Sequence, residues 1–210
     1  MNLKLKSALI LSALALMASG LTAFANQGNS QRAERESVTF EVGDIEGEST
    51  LLRNNNGVRM GLNASGLEPG DVATVWWVLF EGDDIRSAFY AAGSVVGGSG
   101  KANFAAHLPE GRLTVDPDFE ANQLVMGEAE DAILGDARDE DVMLVLRTHG
   151  PRIPGLMSEM LKTHDAGCTS ALDGAENRDD DHPLLGEGDL PHLAGPNTCM
   201  NLAMILHEAN

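Results

Sequence analysis

Basic residues are scarce in this sequence. Only 14 lysines and arginines stand against 32 aspartates and glutamates, which gives a formal net charge of −18. A protein this acidic repels phosphate backbones and anionic lipid surfaces, so nucleic acids and membrane surfaces are disfavoured as partners. A cation or a basic partner fits the charge better. The simpler alternative is that the charge only keeps the protein soluble.

Cysteine is also rare, with Cys168 and Cys199 as the two copies and no C-x-x-C pair. The lack of clustered cysteines disfavours a metal site built from them. In an exported protein, two cysteines usually form a disulfide, and we predict that bond here. The chain-entropy model assigns such a loop a stabilisation of about 3–4 kcal/mol.

Common catalytic motifs are missing. The sequence holds no G-x-S-x-G elbow, no H-E-x-x-H pair and no dinucleotide fingerprint. The stretch Gly97–Lys101 lacks the spacing of a phosphate-binding loop, and a turn between strands explains it better. We therefore predict no catalytic residue and favour a protein that is not an enzyme.

Long hydrophobic runs are absent except near the N-terminus. Lys4 and Lys6 precede an apolar stretch at Ala8–Ala18, and Ala23–Ala25 supplies the small-x-small pattern of a signal peptidase site. We predict a cleaved signal peptide over residues 1–25 and a flexible leader over 26–36. The product is then periplasmic or extracellular and not inserted in a membrane.

Apolar and polar residues alternate at 38–42, 58–62, 102–108 and 202–206, which is typical of half-buried strands. Helical spacing stands out at 156–161 alone, and the last stretch fits a strand better than a helix. We therefore predict one domain over residues 37–210. It is an all-β, two-sheet β-sandwich, immunoglobulin-like or dismutase-like, with long acidic loops and at most one short helix. Residues 88–96 and 102–108 are predicted to form a hairpin.

The run Val72–Phe80 predicts a central strand buried on both faces. Its adjacent Trp76 and Trp77 point to opposite faces, so one fills the core and the other covers a second surface or a ligand groove. Arg147 and His149 share a face at the end of another buried strand, where scaffolds present functional groups. These four residues are the candidate binding residues, and a purely structural role is the alternative for Arg147 and His149.

The segment between the two cysteines is rich in acidic residues and histidine. Carboxylates suit Ca²⁺, whereas carboxylates with imidazoles suit Zn²⁺ or Cu²⁺. The spacing matches no EF-hand, and a solvated acidic loop is the alternative. The candidate metal ligands, for a possible divalent cation, are Asp179, Asp181, His182, Asp189 and His192.

Segments 66–80, 91–100 and 146–151 resemble a family of uncharacterised exported bacterial proteins, over most of the chain. That resemblance implies a secreted β-rich domain without a known activity. Residues 167–171 are similar to the disulfide-loop segment of Cu,Zn superoxide dismutases, and Cys199 follows in the expected order. No two histidines lie two residues apart, so the His-x-His copper pair is absent. This second resemblance therefore implies a degenerate relative.

Together these patterns predict an exported, acidic β-sandwich domain that works as a non-catalytic binding protein. The alternative function is a divalent metal-binding protein that uses the acidic loop. The two differ in their response to chelators, because a metal that binds only the folded state raises its stability.

Overall fold

The computed structural model describes residues 33–115, 123–169 and 193–209. These residues form two antiparallel sheets, with strand orders β1-β2-β3-β6 and β7-β5-β4-β8-β9. The prediction of an all-β, two-sheet sandwich is confirmed. The elements are β1 Glu34–Val42, β2 Ile45–Asn54, β3 Gly57–Ser65, β4 Asp71–Glu81, β5 Asp84–Val95, β6 Ala102–Pro109, β7 Leu124–Met126, β8 Val142–Pro151, α1 Met157–Met160 and β9 Met200–His207.

The main core lies between the two sheets. The alternating strands of the four-stranded sheet supply Leu51, Leu62 and Phe104, and the five-stranded sheet faces them with Trp77 and Leu144. All are buried, and each large apolar side chain removed from water contributes about 1.5–3 kcal/mol. The period-two pattern of the sequence therefore decides which side chains fill this space.

The predicted hairpin between β5 and β6 is wrong. Strand β5 pairs with β4 and β7, whereas β6 pairs with β3, so the chain crosses from one sheet to the other over residues 96–101. A tight turn carries this crossing, with Gly97 donating to the Lys101 carbonyl at 2.8 Å. Alternation identifies the buried face of a strand but does not identify the strand beside it.

The ends of the described domain also bear on the sequence analysis. Strand β1 begins at Glu34, so residues 34–36 of the predicted leader are paired with β2. Residues 200–207 form β9 and not a helix. Across the described ranges, no helix is long and apolar enough to cross a membrane. The predicted signal peptide lies outside the described residues and stays a prediction.

A second apolar layer covers part of the outer face of the five-stranded sheet. We call residues 152–169 and 193–199 the cover segment. Its buried residues Met160, Ala166 and Leu193 pack on Val72 of β4, and Leu156 and Leu161 pack around them. The cover segment explains how one end of β4 becomes buried on both faces, and it positions the site described next.

Candidate functional site

The two adjacent tryptophans occupy opposite faces of β4, as the sequence predicts. Trp77 belongs to the core between the sheets, while Trp76 lies on the outer face with Val78 and Val145. The Trp76 ring meets Tyr90 edge-on at a centroid distance of 5.8 Å and His164 at 5.1 Å. Trp76 therefore organises the outer face, and Trp77 has a packing role.

A chain of hydrogen bonds connects Trp76 to His149. The Trp76 Nε1–H donates to Thr74 Oγ1 at 2.8 Å, and Thr74 Oγ1 lies 3.0 Å from His149 Nε2. The Ala166 carbonyl lies 3.0 Å from His149 Nδ1 and can only accept, so in the neutral imidazole Nδ1 carries the proton and donates to it. Nε2 is then an acceptor, and the Thr74 hydroxyl accepts from Trp76 and donates its proton to His149.

Burial keeps this imidazole neutral. His149 is fully buried and lies at a register shift in the pairing of β4 with β8, between the partners of Val72 and Ala73. Desolvation lowers the pKa of His149 to about 4, and the carbonyl of Ala166 opposes that shift only in part. A buried neutral histidine with both nitrogens bonded fixes the cover segment to the sheet.

Arg147 is also nearly buried, and it lies on β8 two residues before His149. Its Nε–H donates to the His164 carbonyl at 3.0 Å, and its other nitrogens reach Asn201 Oδ1 at 3.2 Å and Asp165 Oδ1 at 3.4 Å. Burial lowers the pKa of Arg147, and the Asp165 carboxylate opposes the shift. Asp165 also lies 2.8 Å from His164 Nδ1. Arg147 therefore holds the cover segment next to β9.

The predicted disulfide forms between Cys168 and Cys199, with Cα atoms 5.5 Å apart. It lies against the same histidine, since Cys168 Sγ is 3.8 Å from His149 Nδ1. Ligand atoms of His149, Cys168 and Cys199 all lie within 4.8 Å of one another. The three side chains thus bring potential metal-ligand atoms together, although the two sulfurs are bonded to each other in the disulfide.

Beside these polar groups, the outer face has a groove of about 190 Å³. We call it the outer-face groove. Its lining is mostly apolar and comes from β4, β5, β7, β8 and β9, with Trp76, Met143 and Met204 among its residues and His164 and Asn201 as its polar members. Met204 is 67% exposed. A mostly apolar lining with a few polar groups at one end is typical of a ligand-binding pocket.

A second polar group lies at the edge where β1, β2 and β9 approach. Ser49 Oγ is 2.8 Å from His207 Nε2, and His207 Nδ1 is 3.1 Å from Glu36 Oε2 without a directed hydrogen bond. Burial lowers the pKa of His207. The Glu36 carboxylate opposes this shift, and the Arg53 guanidinium adds to it. The order Ser, His, Glu matches a nucleophilic triad. Ser49 and His207 are fully buried, however, so no substrate reaches the hydroxyl.

Arg53 completes this edge and is 1% exposed. Its guanidinium donates to three carbonyl oxygens from separate parts of the chain, at 3.0 Å to Ala137, 2.7 Å to Glu140 and 3.0 Å to His207. Desolvation lowers the pKa of Arg53, and the carboxylates of Glu36 and Asp141 oppose this shift. Arg53 joins the two sheets, and the buried Ser49 and His207 beside it offer no open surface to a ligand.

Of the predicted binding residues, the structure brings Trp76, Arg147 and His149 into one neighbourhood and places Trp77 elsewhere. The five predicted metal ligands, Asp179, Asp181, His182, Asp189 and His192, lie outside the described residues, so that site stays a prediction. Sequence reasoning missed Thr74, His164, Asp165 and Asn201. Thr74 could have been predicted from the sequence, because it lies two residues from Trp76 and therefore on the same face of the strand.

Comparisons with known proteins add no relative: no protein-family model, curated protein or solved structure matches this chain. The resemblances to exported bacterial proteins and to the dismutase disulfide loop therefore stay predictions.

Proposed function

We propose that this protein is a non-catalytic binding domain that holds an extended polypeptide segment, apolar on one side and basic on the other, against its five-stranded sheet. The observation that carries the proposal is the outer-face groove, which opens beside the edge strand β9. Met204 and Asn201 of β9 line the side of the groove nearest that edge, and Trp76 of the central strand β4 lines it further in.

The size of the groove favours a side chain over a whole small molecule. Pockets for drug-sized ligands usually enclose about 300–1,000 Å³. The outer-face groove measures about 190 Å³, which suits one leucine or phenylalanine side chain of a larger partner.

The position of β9 supplies the backbone part of the contact. It ends the five-stranded sheet, with β8 as its hydrogen-bonded neighbour within the described residues. An edge strand offers N–H and C=O groups to an added strand. Met204 and Leu206 are 67% and 41% exposed on β9, so the added strand would gain apolar contacts beside its backbone bonds.

The acidic charge of the chain favours basic side chains on the side of the ligand that does not enter the groove. A formal net charge of −18 attracts lysine and arginine and repels acidic peptides. Binding that uses this attraction weakens as salt screens it.

The test uses an octapeptide of alternating leucine and lysine, with its affinity measured by calorimetry and by tryptophan fluorescence. The control peptide has the same side chains but N-methylated amides on one edge, which removes strand pairing. We expect the first peptide to bind and the methylated one to lose at least about tenfold in affinity, or about 1.4 kcal/mol.

The matched protein variants are Met204→Asn, which puts an uncharged polar group at the groove, and Leu113→Asn, which makes the same kind of change at an exposed leucine outside its lining. Met204→Asn should weaken binding and Leu113→Asn should not. Equal binding of both peptides, or equal affinity of both variants, overturns the proposal. Binding of an apolar dye without binding of the peptide would make the groove a small-molecule site instead.

A further inference from the structure

We propose that reduction of the Cys168–Cys199 disulfide turns these two cysteines and His149 into a site for one zinc ion. The proposal goes beyond peptide binding and does not depend on it. Cysteine thiolates and imidazole nitrogens are the ligands that zinc prefers in proteins. The three side chains already lie within 4.8 Å of one another at their ligand atoms.

The spacing of the nitrogen and the first sulfur fits the ion. Zn–N distances of about 2.0–2.1 Å and Zn–S distances of about 2.3 Å put the two ligand atoms about 3.5 Å apart across a tetrahedral angle. His149 Nδ1 and Cys168 Sγ are 3.8 Å apart. Breaking the S–S bond lets Cys199 move away from Cys168 and makes room for the ion.

The site stays assembled without the disulfide, because backbone bonds join the two cysteine-bearing stretches independently. Thr169 donates to the Asn197 carbonyl at 2.9 Å, and Asn197 donates to the Gly167 carbonyl at 3.0 Å. The Asn197 side chain also donates to the His149 carbonyl at 2.8 Å. These bonds therefore keep the ligands near their present positions after reduction, and they keep the entropy cost of gathering the ligands around the ion low.

The surroundings favour a divalent ion such as zinc over monovalent copper. His149 and Cys168 are fully buried, and Ala166 and Leu193 of the apolar cover segment lie nearby in the chain. A buried site disfavours net charge. Two thiolates, one neutral imidazole and Zn²⁺ sum to zero charge, whereas Cu⁺ with the same ligands would leave a charge of −1.

The chemistry balances with a dithiol as the reductant. The dithiol passes two electrons and two protons to the disulfide and becomes a disulfide itself, leaving two thiols on the protein. Zn²⁺ then displaces both thiol protons. The imidazole of His149 changes to its other neutral tautomer: the Nδ1 proton leaves to solvent, Nε2 takes up a proton from solvent, and Nε2–H then donates to Thr74. Thr74 would thus orient the ligand, as outer-sphere partners of zinc-bound histidines do.

The experiment titrates Co²⁺, a spectroscopic substitute for zinc, into the full-length protein before and after reduction by a phosphine. We expect one equivalent to bind the reduced protein with a thiolate-to-cobalt charge-transfer band, and Zn²⁺ to displace it. Nitrogen NMR of His149 in the zinc form should show the proton moved from Nδ1 to Nε2. An equal band in the oxidised protein, or no band after reduction, overturns the proposal.

Variants separate this site from the acidic loop. His149→Asn should lower affinity by about tenfold or more, while His107→Asn, on an exposed histidine of the other sheet, should leave it unchanged. The double variant Asp181→Ala with His182→Ala should keep the charge-transfer band, and its loss there contradicts the assignment. If His149→Asn fails to fold by circular dichroism, Cys199→Ser decides, because losing one thiolate must weaken the band.

Discussion

The outer faces of the two sheets differ in their exposure to water. On the four-stranded sheet, Glu48, Arg59, Asn63 and His107 are exposed, and buried residues alternate with exposed or half-buried ones along much of β2, β3 and β6. On the five-stranded sheet, β4 is buried at every position from Val72 to Leu79. Antiparallel sheets usually leave one face to water. Here one sheet does so and the other requires a second covering layer.

The difference explains where a ligand could bind. The cover segment shields the end of the five-stranded sheet near Val72 and His149, and the outer-face groove lies where that layer stops. The polar face of the four-stranded sheet needs no such layer. An apolar face that is only partly covered by its own chain is the natural place for a partner.

The largest expected effect is a loss of stability on the inner face of β4, compared with a position on the polar outer face of the four-stranded sheet. Trp77→Ala should reduce the free energy of unfolding by about 4 kcal/mol, because it empties a large volume between the sheets. Leu52→Ala, at a half-buried position on the outer face of the four-stranded sheet, should cost about 1 kcal/mol or less. Urea denaturation measures both. Similar losses for the two variants would contradict the assigned core.

The second prediction concerns pH. The pKa of His149 is about 4 in the folded protein and about 6.5 in the unfolded chain, so the unfolded state binds more protons between those values. Stability should therefore fall by about 3 kcal/mol as pH drops from 6.5 to 4. His149→Asn should flatten the dependence of stability on pH in this range, whereas His107→Asn should leave that dependence unchanged. Urea denaturation at several pH values measures both. A profile that His149→Asn does not change would remove His149 as its source.

The third prediction uses one glycine from each sheet. A Cβ added at Gly93 would clash with the carbonyl of Leu161 in the cover segment, whereas one added at Gly61 meets no atom within 4 Å. Gly93→Ala should cost about 2 kcal/mol by overpacking, and Gly61→Ala should change stability by less than about 0.5 kcal/mol. Thermal melts compare the pair. Equal melting temperatures would show that the cover segment does not pack against β5.

The smallest effect tests the hydrogen bond that organises the outer face. Trp76→Phe keeps an aromatic ring but removes the N–H that Thr74 accepts, which should cost about 1 kcal/mol. Combining it with Thr74→Val gives a double-mutant cycle by urea denaturation. Additive losses in that cycle would mean that the two side chains are not coupled.

The sequence predicted features that depend on local alternation or on composition. Opposite faces for Trp76 and Trp77 followed from the geometry of one strand, and the disulfide followed from having two cysteines. The partner of each strand did not follow, as β5 and β6 show. Side-chain alternation is the same whether the next strand lies in one sheet or the other.

The contacts of the candidate site were beyond the sequence for a related reason. His164 and Asp165 belong to the cover segment, which has no periodic pattern, and they meet Arg147 only after the segment folds back over the sheet. Ser49 and His207 are 158 residues apart in sequence. No motif spacing connects such pairs, because only the packing of the sheets brings them together.

The buried guanidinium of Arg53 has a consequence for local motion. It donates to the carbonyls of Ala137, Glu140 and, at the end of β9, His207, so none of these stretches can open without leaving a buried charge short of partners. The amides of the three stretches should then exchange with deuterium at one shared opening free energy, as a single cooperative unit. This edge of the sandwich would open all at once and would not fray strand by strand.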